Sequence, residues 1–260
     1  MKAEKNRGRA TVHKKDFRMI YQETLTARWH DTDATLAVRP SQMLVYMQEM
    51  AFCHLNAAGR NLDDLRFHEG LAFILTRLTL KFYRPIRPAE RVVAQTWVSE
   101  GRGVNFPRFF RLMGEDSTVF AEGASAWVLL DLATRLPVRT SAFSYGFTPE
   151  EPLAFSTPRR FSQPENMAEV GQRLIVYSDI DYNGHMNNTR YPDMVCDYLP
   201  EGVVPRIHTM HLEFAREAAF GSTLRILRGE RMSEEGDTVY LVQTVNEQGE
   251  ICLAAEVWVR

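Results

Sequence analysis

Leu80-Lys81-Phe82-Tyr83-Arg84 recurs as Leu212-Glu213-Phe214-Ala215-Arg216, 132 residues further on, and Trp127-Val128 recurs as Trp258-Val259 at an offset of 131. Two separated matches at nearly one offset mark an internal duplication, and the order of elements around each copy agrees. In the first copy, Arg18 to Trp29 alternates like a strand, and Pro40 to Ala58 carries Met43, Leu44, Met47, Met50 and Ala51 at helical spacing. Strand-like stretches follow at Leu71 to Phe82, Arg91 to Glu100, Phe106 to Met113 and Thr118 to Leu130, divided by Pro, Gly or charged turns. The second copy runs a strand from Gln172 to Tyr177 and a helix from about Asn187 to Tyr198. Strands come next near Arg206 to Phe214, Thr223 to Met232, Thr238 to Asn246 and Ile251 to Arg260. Two repeats are too few for a solenoid or propeller, so the expectation is two similar α+β domains side by side.

The expected division is a basic tail over 1–16, a first domain over 17–140, a linker rich in Pro, Ser and charge over 141–171, and a second domain over 172–260. Met1 to Arg18 holds seven Lys and Arg against two acids. It lacks the Ser content and the apolar face of a transit peptide. With 45% apolar residues in 260, the chain can bury a sizeable core. No apolar run approaches the roughly 18 residues of a membrane span, so no membrane insertion is expected. Cys53, Cys196 and Cys252 are odd in number and far apart, which predicts a reducing, cytoplasmic setting rather than a disulfide framework. A net charge of -2 and the lack of a glycine-rich phosphate loop argue against nucleic acid and nucleotide cofactors. No cofactor and no metal are expected.

Chemistry concentrates in Ser178-Asp179-Ile180-Asp181-Tyr182-Asn183-Gly184-His185-Met186-Asn187-Asn188-Thr189-Arg190-Tyr191. Asp181, Asn183 and His185 alternate and can converge on one side of an extended backbone. Aligning the halves pairs Asp31 with Asp179 and Asp33 with Asp181, but sets Thr35 against Asn183 and Ala37 against His185. A motif needed only for folding should appear twice; this one appears once. The blander readings are that Asp181 and Asn183 form a turn or cap, and that His185 is a core histidine. A metal site built on Asp181 and His185 lacks a third ligand at a recognisable spacing.

Asp181-x-Asn183-x-His185-x-Asn187-Asn188 with Tyr191 closely resembles the signature of the acyl-acyl-carrier-protein (acyl-ACP) thioesterases. Glu213-Phe214-Ala215-Arg216-Glu217-Ala218 resembles that family's Glu-Tyr-Arg-Arg-Glu-Cys segment. The resemblance implies a tandem double hotdog, each half a long helix wrapped by a curved antiparallel sheet, with the site in the second half and the acyl chain held by the first. It implies hydrolysis of fatty acyl-ACP, ending chain elongation, with acyl carrier protein as partner. Asp181, Asn183, His185 and Glu217 are then the catalytic candidates; Glu217 also has the duller reading of a strand-end carboxylate paired with an arginine. Ala218 stands where the family often has cysteine, which excludes a thiol nucleophile there. Water activated by Asp181 or Glu217, or a mixed anhydride on Asp181, both remain open, and backbone amides near Gly184 to Asn187 are expected at the oxyanion.

Tunnel candidates are Met43, Met47, Met50, Phe52, Phe73, Trp97, Phe106, Phe109 and Phe110. Candidates for contact with the acidic carrier are Arg84, Arg87, Arg91, Arg102, Arg108, Arg111, Arg159 and Arg160. A hotdog dehydratase would show Asp-x-Asn-Pro-x-His, with one more residue before the histidine. An acyl-CoA thioesterase would more commonly be a single hotdog, and a non-catalytic acyl-thioester sensor would carry an added DNA-binding segment. A monomer or a homodimer is expected, since the tandem copies already supply the pairing that single hotdogs make.

Overall fold

In the computed structural model, which describes residues 20–146, 148–157 and 166–260, the alternating stretches pair into one ten-stranded sheet. The basic tail over 1–16 and the candidates Arg159 and Arg160 lie outside the described residues. The first half comprises β1 (Tyr21–Thr26), α1 (Pro40–Ala57), β2 (Leu71–Phe82), β3 (Arg91–Val98), β4 (Phe106–Met113) and β5 (Val119–Asp131). The second comprises β6 (Ala168–Leu174), α2 (Tyr191–Asp197), β7 (Ile207–Phe214), β8 (Thr223–Met232), β9 (Thr238–Val245) and β10 (Ile251–Val259). The order across the sheet is β1-β3-β4-β5-β2-β7-β10-β9-β8-β6. From the middle outwards both sides give the same sequence of strands, so the halves are related by a pseudo-two-fold axis.

That axis can be located. β2 and β7 pair antiparallel with Thr79 opposite His211, and 211 less 79 is the repeat offset of 132. Equivalent residues therefore face each other there, and Thr79 Oγ1 lies 2.8 Å from His211 Nδ1. Both halves join through this pair of strands into one sheet, and a single apolar cluster runs through both. This is the tandem double hotdog.

α1 forms because Pro40 suits the first helical turn and the apolar spacing gives one face to bury. Met43, Leu44, Met47, Met50 and Leu55 are buried, and the helix packs on β3 and β1. It approaches β5 closely enough that a Cβ at Gly123 would meet Met47 Sδ at 2.9 Å. Truncating Met47 to alanine would leave a cavity costing about 2–5 kcal/mol.

The second half differs from the first where the sequence shortens. Asp33 and Asp181 are 148 apart but the strands after the helices are 132 apart, so the second copy has 16 fewer residues between loop and strand. Most of the loss falls on the helix: α2 has seven residues against eighteen in α1, preceded by a 3-10 turn at Asn188–Arg190. β6 starts at Ala168, within the stretch read as linker, and ends at Leu174; Tyr177–Asp179 is a 3-10 turn rather than the end of a strand. A helical stretch ending in a π-helical turn at Asp64–His68 was not legible in the sequence, and it reaches the site.

Candidate functional site

Asp181 to His185 is a tight turn, not an extended run. The Gly184 amide donates to the Asp181 carbonyl at 3.0 Å and the Asp181 amide to the His185 carbonyl at 3.1 Å. Gly184 has φ of +84°, a left-handed conformation that glycine adopts without strain. Asp181 Oδ1 accepts the Asn183 amide at 2.8 Å, and Oδ2 accepts Asn183 Nδ2 at 3.3 Å. The turn, rather than strand alternation, brings Asp181, Asn183 and His185 together.

The first half repeats this turn without its chemistry. The Asp33 amide donates to the Ala37 carbonyl at 2.8 Å, the Leu36 amide to the Asp33 carbonyl at 3.0 Å, and Asp33 Oδ1 accepts the Thr35 amide at 2.8 Å. One step earlier, buried Asp31 and Asp179 accept the Arg28 and Val176 amides at 2.8 and 3.1 Å. The duller reading of Asp181 as a turn former therefore holds in both halves. Asn183 and His185 have no such counterpart, since Thr35 and Ala37 occupy their places.

Glu217 reaches the turn from the segment after β7. The Met186 amide donates to the Ala218 carbonyl at 2.8 Å, and His185 pairs with Ala219 across an isolated bridge. This sets His185 Nε2 at 3.4 Å from Glu217 Oε1, with the imidazole mostly shielded and the carboxylate 70% exposed. Glu217 thus faces His185, while Arg216 pairs instead with Glu250 at 3.1 Å.

A residue from the first half completes the arrangement. Arg66, on the π-helical turn, donates through Nη1 to Asn183 Oδ1, and its guanidinium lies 5.6 Å from the centre of the Tyr182 ring. The Asn183 carboxamide is held at both ends, its oxygen on Arg66 and its nitrogen on Asp181. No signal near Arg66 in the sequence points to this contact, which spans 117 residues.

All four candidates line one cavity of about 630 Å³, a volume typical of a small-molecule site. The lining from the first half is mostly apolar, with Ala51, Phe52 and Leu55 of α1, Leu71, Phe73 and Leu75 of β2, and Trp127 of β5, interrupted by Gln48, Arg66, Arg108, Arg135 and Tyr145. Of the nine tunnel candidates only Phe52 and Phe73 are on this wall. Met43, Met47, Met50 and Phe110 are core, and Trp97 stacks on Phe109 at 5.9 Å in a separate cluster. Phe106 sits against Phe73, Phe143 and Tyr145.

Three further expectations are corrected. The amides of Gly184, Met186 and Asn187 are taken up by the carbonyls of Asp181, Ala218 and Asp179, so three of the four amides in that run are not open oxyanion donors. Arg108 is 4% exposed and belongs to the cavity wall, not to a docking surface. Arg84, Arg91 and Arg111 pair with Glu90, Glu115 and Glu122, which neutralises much of the proposed basic face. The thiols offer no nucleophile: burial pushes the Cys196 thiol far up, and Cys252, whose Sγ is 4.0 Å from the Glu217 carbonyl, is raised by burial and by Glu250.

Two family models match the chain, the acyl-ACP thioesterase N-terminal domain over residues 18–142 and the acyl-ACP thioesterase C-terminal domain over residues 164–260. Among curated proteins the chain is similar to the palmitoyl-acyl carrier protein thioesterase, chloroplastic, of Arabidopsis thaliana, 24% identical over 227 residues. The protein of the same description from Gossypium hirsutum is 23% identical over 234 residues. The matches cover 80% of this chain but 55% and 54% of those proteins, so the chain spans about half the length of these relatives. Among solved structures, an acyl-ACP thioesterase from Bacteroides thetaiotaomicron superposes with a TM-score of 0.84 at 22% identity, covering 93% of this chain and 98% of that one. The 12:0-ACP thioesterase from Umbellularia californica gives 0.75 at 18% identity, covering 93% and 94%. At these identities the likeness speaks for the fold.

Proposed function

We propose that this chain, which belongs to the acyl-ACP thioesterase family, hydrolyses the thioester of a fatty acyl-ACP and so releases a free fatty acid and ends elongation. One observation carries the reading: the His185–Glu217 pair and the clamped Asn183 carboxamide line a cavity whose first-half wall is mostly apolar. A thioester with a hydrocarbon tail matches that division.

In the proposed reaction His185, backed by the Glu217 carboxylate, takes a proton from water as its oxygen attacks the thioester carbonyl carbon. A positioned base of this kind is worth about 10² to 10⁴ in rate. The tetrahedral intermediate collapses with cleavage of the carbon–sulfur bond, and the proton leaves with the carrier's thiol. Both Asp181 oxygens are engaged by Asn183, which favours Glu217 over Asp181 as the carboxylate that backs His185 and gives Asp181 the task of orienting Asn183. A mixed anhydride on Asp181 is the competing route. Single turnover in labelled water tests the direct route, because label appearing in the enzyme carboxylate would sink direct attack.

The test of the function is free-thiol release from a panel of acyl-ACP and acyl-CoA thioesters, run beside His185→Ala. Release from acyl-ACP by the wild type, reduced about 10²-fold or more in the variant, is expected. Preference for acyl-CoA would replace the carrier in this reading. Binding without release would make the protein an acyl-thioester sensor instead.

A further inference from the structure

We propose that the first-half end of the cavity takes an acyl chain bearing an oxygen acceptor, a hydroxyl or keto group remote from the thioester, and that Arg108 recognises it. The inference rests on the cavity being the acyl-chain site.

Arg108 is carried by β4 and lines the cavity while being almost wholly enclosed. Its Nη1 donates to Thr96 Oγ1 at 3.1 Å and meets His54 Nδ1 at 3.2 Å, and the Tyr145 ring centre is 6.0 Å from its Cζ. Its Nη2 is buried and makes no hydrogen bond. Among the described residues no carboxylate forms an ion pair with it. Two other arginines show what the fold does when it only needs to bury part of one: Arg173 pairs with buried Asp179 at 2.6 Å, and Arg231 with buried Glu256 at 3.2 Å.

A guanidinium taken from water without a counterion is costly, and an unsatisfied buried donor adds to that cost. Burial lowers the Arg108 pKa only to about 10, so it stays charged near neutral pH. A plain hydrocarbon tail laid along this wall would leave Nη2 without a partner and set methylenes against a cation. An acceptor oxygen on the chain supplies the missing hydrogen bond once the guanidinium turns its enclosed Nη2 toward the cavity that Arg108 lines. Gln48, Arg66, Arg135 and Tyr145, which also line the cavity from the first half, add polar surface to a wall that is otherwise apolar. The catalytic turn makes no demand on Arg108, because the site residues all lie on the second half and on Arg66.

The experiment uses the full chain and acyl-ACPs of one chain length, unsubstituted or with a single hydroxyl or keto group moved stepwise along the outer half of the chain. The expected result is one position at which the oxygenated substrate is preferred by about ten- to a hundred-fold in kcat/KM, as for a hydrogen bond to a charged donor. Arg108→Met should abolish that preference, and Arg108→Lys should keep part of it. No preference at any position in the wild type overturns the proposal. So does an Arg108→Met variant that merely accepts longer chains, because the arginine is then a steric stop. If Arg108→Met does not fold, the wild-type panel alone decides. If no acyl-ACP is hydrolysed, the hydrolase reading fails separately. Binding of the same panel, followed through Trp127 fluorescence, then tests the subsite, and equal affinities for oxygenated and plain chains would reject it.

Discussion

Asp181 and Asp33 hold the same turn, so mutating Asp181 to alanine would confuse loss of the turn with loss of a carboxylate. Asp181→Asn separates the two, since an asparagine oxygen can still accept the Asn183 amide. The melting temperature should stay near the wild-type value while kcat falls about ten- to a hundred-fold, as the clamp on Asn183 loses its charge-assisted bond. Asp33→Ala should do the reverse, lowering stability by about 1 kcal/mol with kcat unchanged. Equal losses of activity in both would mean that the turn alone matters. Arg66 belongs to the same argument. Arg66→Met frees the Asn183 oxygen and should reduce kcat about tenfold more than it raises KM, with partial rescue by lysine. A change confined to thermal stability would make the contact merely structural.

At the level of elements, the two turns differ at one backbone position. Leu36 stands at φ of +60° where the second half has Gly184 at +84°. A left-handed leucine costs about 1–2 kcal/mol, while glycine loses about 0.5–1 kcal/mol more entropy on folding. Leu36→Gly should therefore raise stability by about 0.5 kcal/mol in urea titration. Gly184→Ala should lower it by about 1 kcal/mol through backbone strain alone, because a Cβ there meets nothing within 4 Å. A destabilised Leu36→Gly would show that the leucine side chain contributes packing that outweighs its strain. These turns also show what the sequence made legible. Alternation and helical spacing identified β2, β4, α1 and β7 to β10 to within a residue or two, because each buries one face, whereas β6 lies three to four residues earlier than its pattern suggested. The turn residues were visible as types, yet their convergence was attributed to an extended strand, since the bond from Gly184 to Asp181 is not a periodic signal. The shortness of α2 was present in the two unequal offsets. Arg66 and the course of the cavity were hidden because they arise from contacts between halves, and apolar residues of core and tunnel are the same types.

Across the whole molecule, both halves depend on the β2–β7 joint, and the Thr79–His211 contact lies at its centre. Packed under Trp258 at a ring distance of 6.3 Å, the His211 imidazole is driven down to a pKa of about 4, by burial first and by Lys81 second. In the unfolded chain it titrates near 6.5. Between those values the unfolded state binds the extra proton, so stability must rise with pH there. The contribution is fully present above about 6.5 and is lost as the pH falls toward 4, amounting to on the order of 3 kcal/mol if the joint opens only on global unfolding. Glu90 and Asp116, whose carboxyls are held low, begin to lose their contributions only below their ordinary values of 4.5 and 3.8. In the interval from about 6.5 to 4.5 those two carboxyls stay out of the slope, while Asp197, pushed up by burial, acts in the opposite sense, so the histidine is isolated by comparison with a variant. Urea midpoints measured across it should fall with acidification in the wild type and fall distinctly less in His211→Gln, whose amide can still hydrogen-bond Thr79. Parallel slopes in the two proteins would mean that the joint tolerates a protonated His211, and the acid sensitivity of the fold would have to come from elsewhere in the sheet.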